Sequence, residues 1–191
     1  MRYLAFFILI CLTACSDEYS QKVQAFRELK NEEFSNPNTS PLPKHEIKIF
    51  TGLKFYPIDA EYRLEGVFSK SSFPRYFNLF EGTEVKQVHQ QVGTVTFQLK
   101  GEAFTLLAFC TVGQAKDQLF IPFQDLSNQV NTYPGGRYVE ALLISDSTCV
   151  IDFNLAYNPY CAYNEEFTCA ACPKENKLDV AIKAGEQYLS H

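Results

Sequence analysis

From Ile47 onward the apolar residues of this chain recur at every second position, and that period limits the fold more than any other feature. In "GTVTFQLKGEAFTLLAFCTV", Val95, Phe97 and Leu99 share one face, Lys100-Gly101-Glu102 turns the chain, and Phe104, Leu106, Ala108 and Cys110 return. Successive strand residues point to opposite sides, so the spacing predicts a hairpin with one buried and one wet face. "AEYRLEGVF" sets Tyr62, Leu64 and Phe68 against Glu61, Arg63 and Glu65 in the same way. "DQLFIPF", "RYVEALLI" and "TCVIDFN" add three short β-rich runs, and "KLDVAIK" alternates Leu178, Val180 and Ile182 as a terminal strand. With no helical stretch between them, these runs predict a mainly β fold, an antiparallel sandwich or open barrel.

Only the N-terminal part has a helical period. Between Asp17 and Phe34 the residues Tyr19, Val23, Phe26, Leu29 and Phe34 fall near one side, and Ser16 or Asp17 is placed to cap the first turn. This predicts one amphipathic helix that packs on the main domain, ended by a loop containing Pro37, Pro41 and Pro43. Ahead of it stands "MRYLAFFILICLTAC": a basic Arg2, an apolar run from Tyr3 to Leu12, and small residues before Cys15. That order is a secretory signal, and Leu-Thr-Ala-Cys resembles a bacterial lipobox, whose cysteine is diacylated and becomes the mature N-terminus. The chain then divides into a lipoprotein signal peptide (1–14), an anchor, helix and Pro-rich linker (15–45), and a single β-rich domain (46–191). The expected location is the cell envelope, lipid-anchored at the outer membrane and facing the periplasm or the cell surface. Ser16-Asp17-Glu18 resembles sorting signals for both faces.

Loss of residues 1–14 leaves 16 basic against 22 acidic residues, a net charge of −6 with no basic face. Nucleic acid, which is held through clustered Lys and Arg, is therefore not an expected partner. The sequence has no Gly-rich phosphate loop, no G-x-S-x-G elbow and no H-E-x-x-H helix, and it gives no reason to expect a cofactor. His89, in "KQVHQQ", reads as an exposed strand residue.

The densest polar stretch is "DFNLAYNPYCAYNEEFTCAACPKEN", residues 152–176. Outside the cytoplasm disulfides persist, and Cys161 and Cys169, eight positions apart around a turn-rich loop, are the expected pair, worth about 2.5 kcal/mol as a loop closure. Three other readings stay open: zinc held by Cys161, Cys169 and Cys172, a redox pair in Cys169-Ala-Ala-Cys172, and a nucleophilic Cys161. Zinc lacks a fourth ligand and no metal is assigned. Cys110 and Cys149 fall in strand patterns and suit burial.

Gly135 and Gly136 allow a tight turn that presents Arg137 at the head of a strand, and Asp152 and Asn154 share a strand face. If those strands adjoin, Arg137 meets Asp152, either as structure or as a site for an anionic group. "FTGLKFYPIDAEYRL", "LFIPFQD", "TYPGGRY" and "IDFNLAYNPYCAYNEEFTCAACPKENKLDVAIKAGE" together resemble the domain-of-unknown-function 1684 family, from the proline linker to Glu186. The resemblance implies a shared fold and a shared polar cluster of Arg137, Asp152, Asn154, Asn158, Cys161, Cys169, Glu175 and Asn176, with no function attached. The chain departs from the family pattern at Pro134, where a third glycine is usual, and at Cys172.

The expectation is a lipid-anchored envelope domain that binds a small anionic ligand or peptide. Arg137 holds the anion, Asp152 and Asn154 orient it, Tyr157 and Tyr163 form walls, and Asn158, Glu175 and Asn176 complete the cluster. The alternatives are an envelope enzyme using Cys161, Asp152 or Glu175, and a structural envelope protein that contacts others through edge strands.

Overall fold

The computed structural model describes residues 2–77, 89–111 and 117–188; the side chains of residues 2–17, 74–77 and 111 are not described. A long helix α1 (Arg2–Ser35) and a single turn α2 (Lys44–Ile47) precede six strands: β1 (Arg63–Phe77), β2 (His89–Leu99), β3 (Glu102–Thr111), β4 (Gln118–Phe123), β5 (Arg137–Leu143) and β6 (Thr148–Asp152). Each strand pairs antiparallel with the next, and β6 returns to β1 with Arg63 opposite Asp152 and Val67 opposite Thr148. The barrel is thus closed, not open, and no strand edge among the six is left without a neighbour.

Alternation fills the barrel as the sequence requires. Val95, Phe97 and Leu99 of β2 and Leu106 and Ala108 of β3 point inward, across the Lys100-Gly101 turn. Leu119, Ile121 and Phe123 of β4, Val139 and Ala141 of β5, and Cys149 and Ile151 of β6 complete the core. Phe153, in a short 3₁₀ turn after β6, stacks edge-on against Phe97 and Phe123 at 5.6 and 5.2 Å. Each such large side chain contributes about 1.5–3 kcal/mol by leaving water.

Four expectations are corrected. "KLDVAIK" is not a strand: Leu178 and Ile182 are buried in the barrel core as its alternation implies, but the segment is irregular, with a bend at Asp179 and Val180. Helix α1 runs unbroken through Asp17, so neither Ser16 nor Asp17 caps it. Leu29 is 65% exposed, whereas Val23, Arg27 and Phe34 are buried, so the packing face is turned toward positions 23, 27, 30 and 34. His89 is 3% exposed and stacks on Phe120 at 4.9 Å, and burial lowers its pKa. The side chain of Cys15, the lipidation candidate, lies outside the described residues. Among the described residues no helix is long and apolar enough to cross a membrane.

The β3–β4 seam depends on Asn176. Phe109 pairs with Phe120, and continuing that register sets Leu107 opposite Pro122, which has no N–H to donate. The fully buried Asn176 carboxamide fills the gap: its Oδ1 accepts from Leu107 N at 2.6 Å, and its Nδ2 donates to the carbonyls of Leu107 and Pro122 at 2.9 and 2.8 Å. One side chain so replaces a missing rung of the ladder. Asn176→Ala strands these three backbone groups and is expected to cost about 3 kcal/mol in urea unfolding. Amide exchange should speed up first at Leu107.

Candidate functional site

Arg137 enters the barrel end from a turn that needs glycine. Gly136 has φ +100°, and a Cβ there would lie 2.5 Å from the Phe123 carbonyl oxygen. The guanidinium that follows is completely buried. Its partner is Asp125, not Asp152: Nη2 meets Asp125 Oδ2 at 3.0 Å. Nη2 also donates to the Ile182 carbonyl at 2.9 Å, and Nη1 donates to the carbonyls of Ala184 and Glu186 at 2.6 and 3.2 Å. Asp125 Oδ1 accepts from the backbone N–H of Ser127 and Ile182. Gly185, with φ +77° and two carbonyl oxygens 2.6 Å from its would-be Cβ, bends the chain so that both flanking carbonyls reach Arg137. The two Nη groups are therefore committed to Asp125 and the C-terminal segment, while Nε is buried with no hydrogen-bond partner among the described residues.

Asp152 and Asn154 clamp helix α1 to the barrel. Tyr19 O–H lies 3.0 and 2.9 Å from the two Asp152 carboxylate oxygens, and Asn154 Nδ2 donates to Tyr19 Oη at 2.9 Å. Asn154 also donates to the Asp59 carbonyl and accepts from Asp59 N–H. Burial, then the Asp152 charge, holds the Tyr19 phenol well above its ordinary range, so it stays a donor. Glu175 is exposed and joins none of this, while Asn176 serves the β3–β4 seam.

The remaining candidates meet at the wall of the barrel that α1 covers. Glu186 is fully buried, and Tyr163 O–H and Asn158 Nδ2 both donate to its Oε1, the latter at 3.0 Å. Asn158 N donates to Oε2 at 3.3 Å. Burial outweighs these donors and pushes the Glu186 carboxyl up to about 7. Nearby, Tyr157 O–H donates to Glu140 at 2.6 Å, and burial raises both groups. Lys30, from α1, lies 5.3 Å from the ring centroids of Phe34, Tyr157 and Tyr160, and its positive charge acts on both carboxyls. Asn158 Oδ1 is buried with no partner among the described residues. Sequence reading found Tyr157, Asn158 and Tyr163 but missed Glu140, Glu186, Lys30, Tyr19 and Asp125. Glu140 stands at an outward position of an alternating strand, where a carboxylate ordinarily faces water.

Cys161 and Cys169 form a disulfide with Cα atoms 6.0 Å apart. Neither is then free to bind zinc, Cys169 cannot pair with Cys172, and Cys161 has no thiol to attack with. Burial pushes the Cys172 thiol up to about 12, which keeps it protonated and unreactive at neutral pH. Among the described residues no group of three or more His, Cys, Asp or Glu is placed to hold a metal.

A closed antiparallel barrel with an arginine-bound C-terminal segment and a helix docked on the chain that follows β6 is the class these features define. The chain belongs to the family described as "Protein of unknown function (DUF1684)", whose model matches residues 48–187. It is also similar to the solution NMR structure of an uncharacterized protein from Haloarcula marismortui, at 33% identity and a TM-score of 0.73. That likeness covers 91% of this chain and 96% of the other, so it extends beyond the barrel into the N-terminal segment. Comparison with curated proteins gives no match.

Arg137→Lys keeps the charge but supplies one ammonium where a planar fork served four acceptors. It is expected to destabilise the fold by about 3–5 kcal/mol. Exchange of the Ile182–Glu186 amides should rise with it. Glu186 binds its proton more tightly folded than unfolded, because its pKa rises from 4.5 to about 7. Its contribution is full below pH 4.5 and is lost as pH climbs through 7. Glu186→Gln removes that dependence. The stability of this variant relative to wild type should thus increase by about 3 kcal/mol from acid to mildly alkaline pH, read from urea melts across the range.

Proposed function

We propose that this chain is a lipid-anchored cell-envelope domain, tethered to the membrane through Cys15, that binds a small molecule or peptide at the wall under α1. The observation that carries the reading is the pairing of a fully buried carboxyl and a half-buried one with two tyrosines, Glu186 with Tyr163 and Glu140 with Tyr157, beside the unpartnered Asn158 Oδ1. Buried polar groups are costly, and those with displaced pKa values collect at sites of recognition or chemistry. The core closes without them, because Phe97, Phe123, Phe153 and their neighbours fill the barrel. Tyr157, Asn158 and Tyr163 keep the roles expected of them; Arg137, Asp152, Asn154 and Asn176 are architecture in this reading, and Glu175 stands apart.

Acylation of Cys15 supplies the attachment, at about 0.8 kcal/mol per buried methylene. Tyr19, the first clamp residue, follows only four positions later, about 6 Å along a helix. The Asp152–Asn154 end of the barrel then rides close to the lipid surface, and Lys30 lies about 16 Å further along α1. A second reading rests on Glu186 alone: a carboxyl poised near neutrality suits general acid–base work on an envelope substrate.

Two measurements test the proposal. Mass spectrometry of the membrane fraction should find an acylated N-terminal cysteine, and Cys15→Ser should release the protein from that fraction. In a thermal-shift screen of the soluble domain, compounds that stabilise wild type should stabilise Tyr157→Phe and Tyr163→Phe clearly less. Ligand shifts that are identical in all three proteins place binding elsewhere.

A further inference from the structure

Lys30 is an unusual residue to bury in a helix contact. Its side chain is 15% exposed, and its ammonium stands at equal distance, 5.3 Å, from the ring centroids of Phe34, Tyr157 and Tyr160. Its ion-pair partner is Glu33, at 2.8 Å, on its own helix, and Tyr160 O–H donates to the other oxygen of that carboxylate. Ring faces attract a cation through their quadrupole, most strongly when water is excluded, and several rings around one ammonium make a cage. Attaching α1 does not require such a cage. Val23 and Phe34 are already fully buried, Phe34 among Phe50, Tyr160 and Tyr163, and Tyr19 is clamped by Asp152 and Asn154. An apolar side chain at position 30 would pack there without the cost of stripping water from an ammonium.

The two sides of the cage come from different parts of the chain: Tyr157, Tyr160, Glu140 and Glu186 from β5 and the segments after β6, and Lys30, Glu33 and Phe34 from α1. The barrel thus carries an acidic, aromatic recess that the helix fills with a lysine. Because the ion pair with Glu33 lies within α1, the flexible lysine stem can swing outward with its charge still paired, leaving the packing at Val23, Arg27 and Phe34 in place.

We infer that the recess formed by Tyr157, Tyr160 and Glu140, closed by Phe34, is a binding site for an alkylammonium group, and that Lys30 is the chain's own stand-in for that ligand. The inference rests on the reading of this wall as the ligand site and supplies its ligand class. An amine-bearing small molecule would place its cation over the Tyr157 and Tyr160 rings within the field of Glu140 and Glu186.

The test titrates n-butylammonium chloride, and separately the neutral n-pentanol, into the whole soluble domain at constant ionic strength, following tyrosine ring resonances. Lys30→Ala should bind the amine saturably and at least about tenfold more tightly than wild type, and should ignore the alcohol. Adding Tyr160→Leu to Lys30→Ala should abolish binding. If Lys30→Ala does not fold, Lys30→Gln, which keeps much of the stem, is titrated instead. Equal binding of amine and alcohol would overturn the ammonium assignment while leaving a ligand site on this wall. No saturable shift with the amine, where other screened compounds still perturb Tyr157 or Tyr163, also overturns it and spares the broader reading. Silence of these tyrosines toward every compound removes both.

Discussion

The buried guanidinium of Arg137 is the interaction on which the rest of the molecule hangs. An unpaired cation in a barrel interior is too costly to persist, so it needs a counter-charge and acceptors. Asp125 neutralises it, and the carbonyls of Ile182, Ala184 and Glu186 accept from its two Nη groups. Those carbonyls belong to a segment outside the six strands, bridged only at Glu186 to Phe55 among the described residues, so the arginine does for much of the C-terminal chain what a ladder does for a strand. Consequences run outward from there. With its backbone fixed to Arg137, Glu186 turns its carboxyl onto Asn158 and Tyr163. Tyr163 in turn meets Phe34 of α1 edge-on at 4.9 Å. A single charge at the barrel end therefore positions the wall on which the helix lies.

Helix α1 is held by different chemistry at its two ends. Near its middle, Tyr19 is oriented by Asp152 and Asn154, which gives direction and register. At its C-terminal end Phe34 packs among Phe50, Tyr160 and Tyr163, an apolar aromatic contact. The polar clamp sits directly after β6, where Asp152 also accepts from Asn154 N–H to shape the 3₁₀ turn. These two residues thus finish a strand, start a turn and seat a helix, which is reason enough for their place in the dense polar stretch.

Much of the fold was legible in the sequence because a half-buried strand writes its two faces into alternate positions. The β2–β3 hairpin and strands β4, β5 and β6 follow from that alone. Closure of the barrel was not legible, since pairing of β1 with β6 joins residues some ninety positions apart and leaves no local trace. The run from Leu178 to Ile182 misled because alternation reports which side chains are buried, not what satisfies the backbone. Arg137 was expected to meet Asp152 if their strands adjoined, and the structure pairs it with Asp125 instead: the two aspartates look alike in sequence, and only topology separates them. The Cys161–Cys169 bond was legible from short spacing in a turn-rich loop. Glu186 and Glu140 were not, because a carboxylate in an alternating or terminal stretch carries no mark of burial until the covering helix is in place. The helix face was turned by the same effect: Leu29, apolar, is left in water, while Arg27 and Lys30 pack inward.

Those two basic residues of α1 invite comparison, because only Lys30 has an ion-pair partner in contact with it. The Arg27 guanidinium lies 4.7 Å from the Phe55 ring centroid, and its Nε and Nη2 have no hydrogen-bond partner among the described residues. Burial lowers its pKa, the cost expected where a ring face and a long aliphatic stem do the packing. Lys30 instead faces three rings and sits within reach of Glu33, Glu140 and Glu186. Its charge favours the ionised form of Glu186 against the burial that opposes it. Linkage then runs both ways: a cation in the cage draws the Glu186 proton off, and an ionised Glu186 holds the cation more firmly. With the Glu186 carboxyl pushed up to about 7, this exchange falls in the neutral range, and an ammonium in the cage biases that carboxyl toward its ionised form against the larger effect of burial.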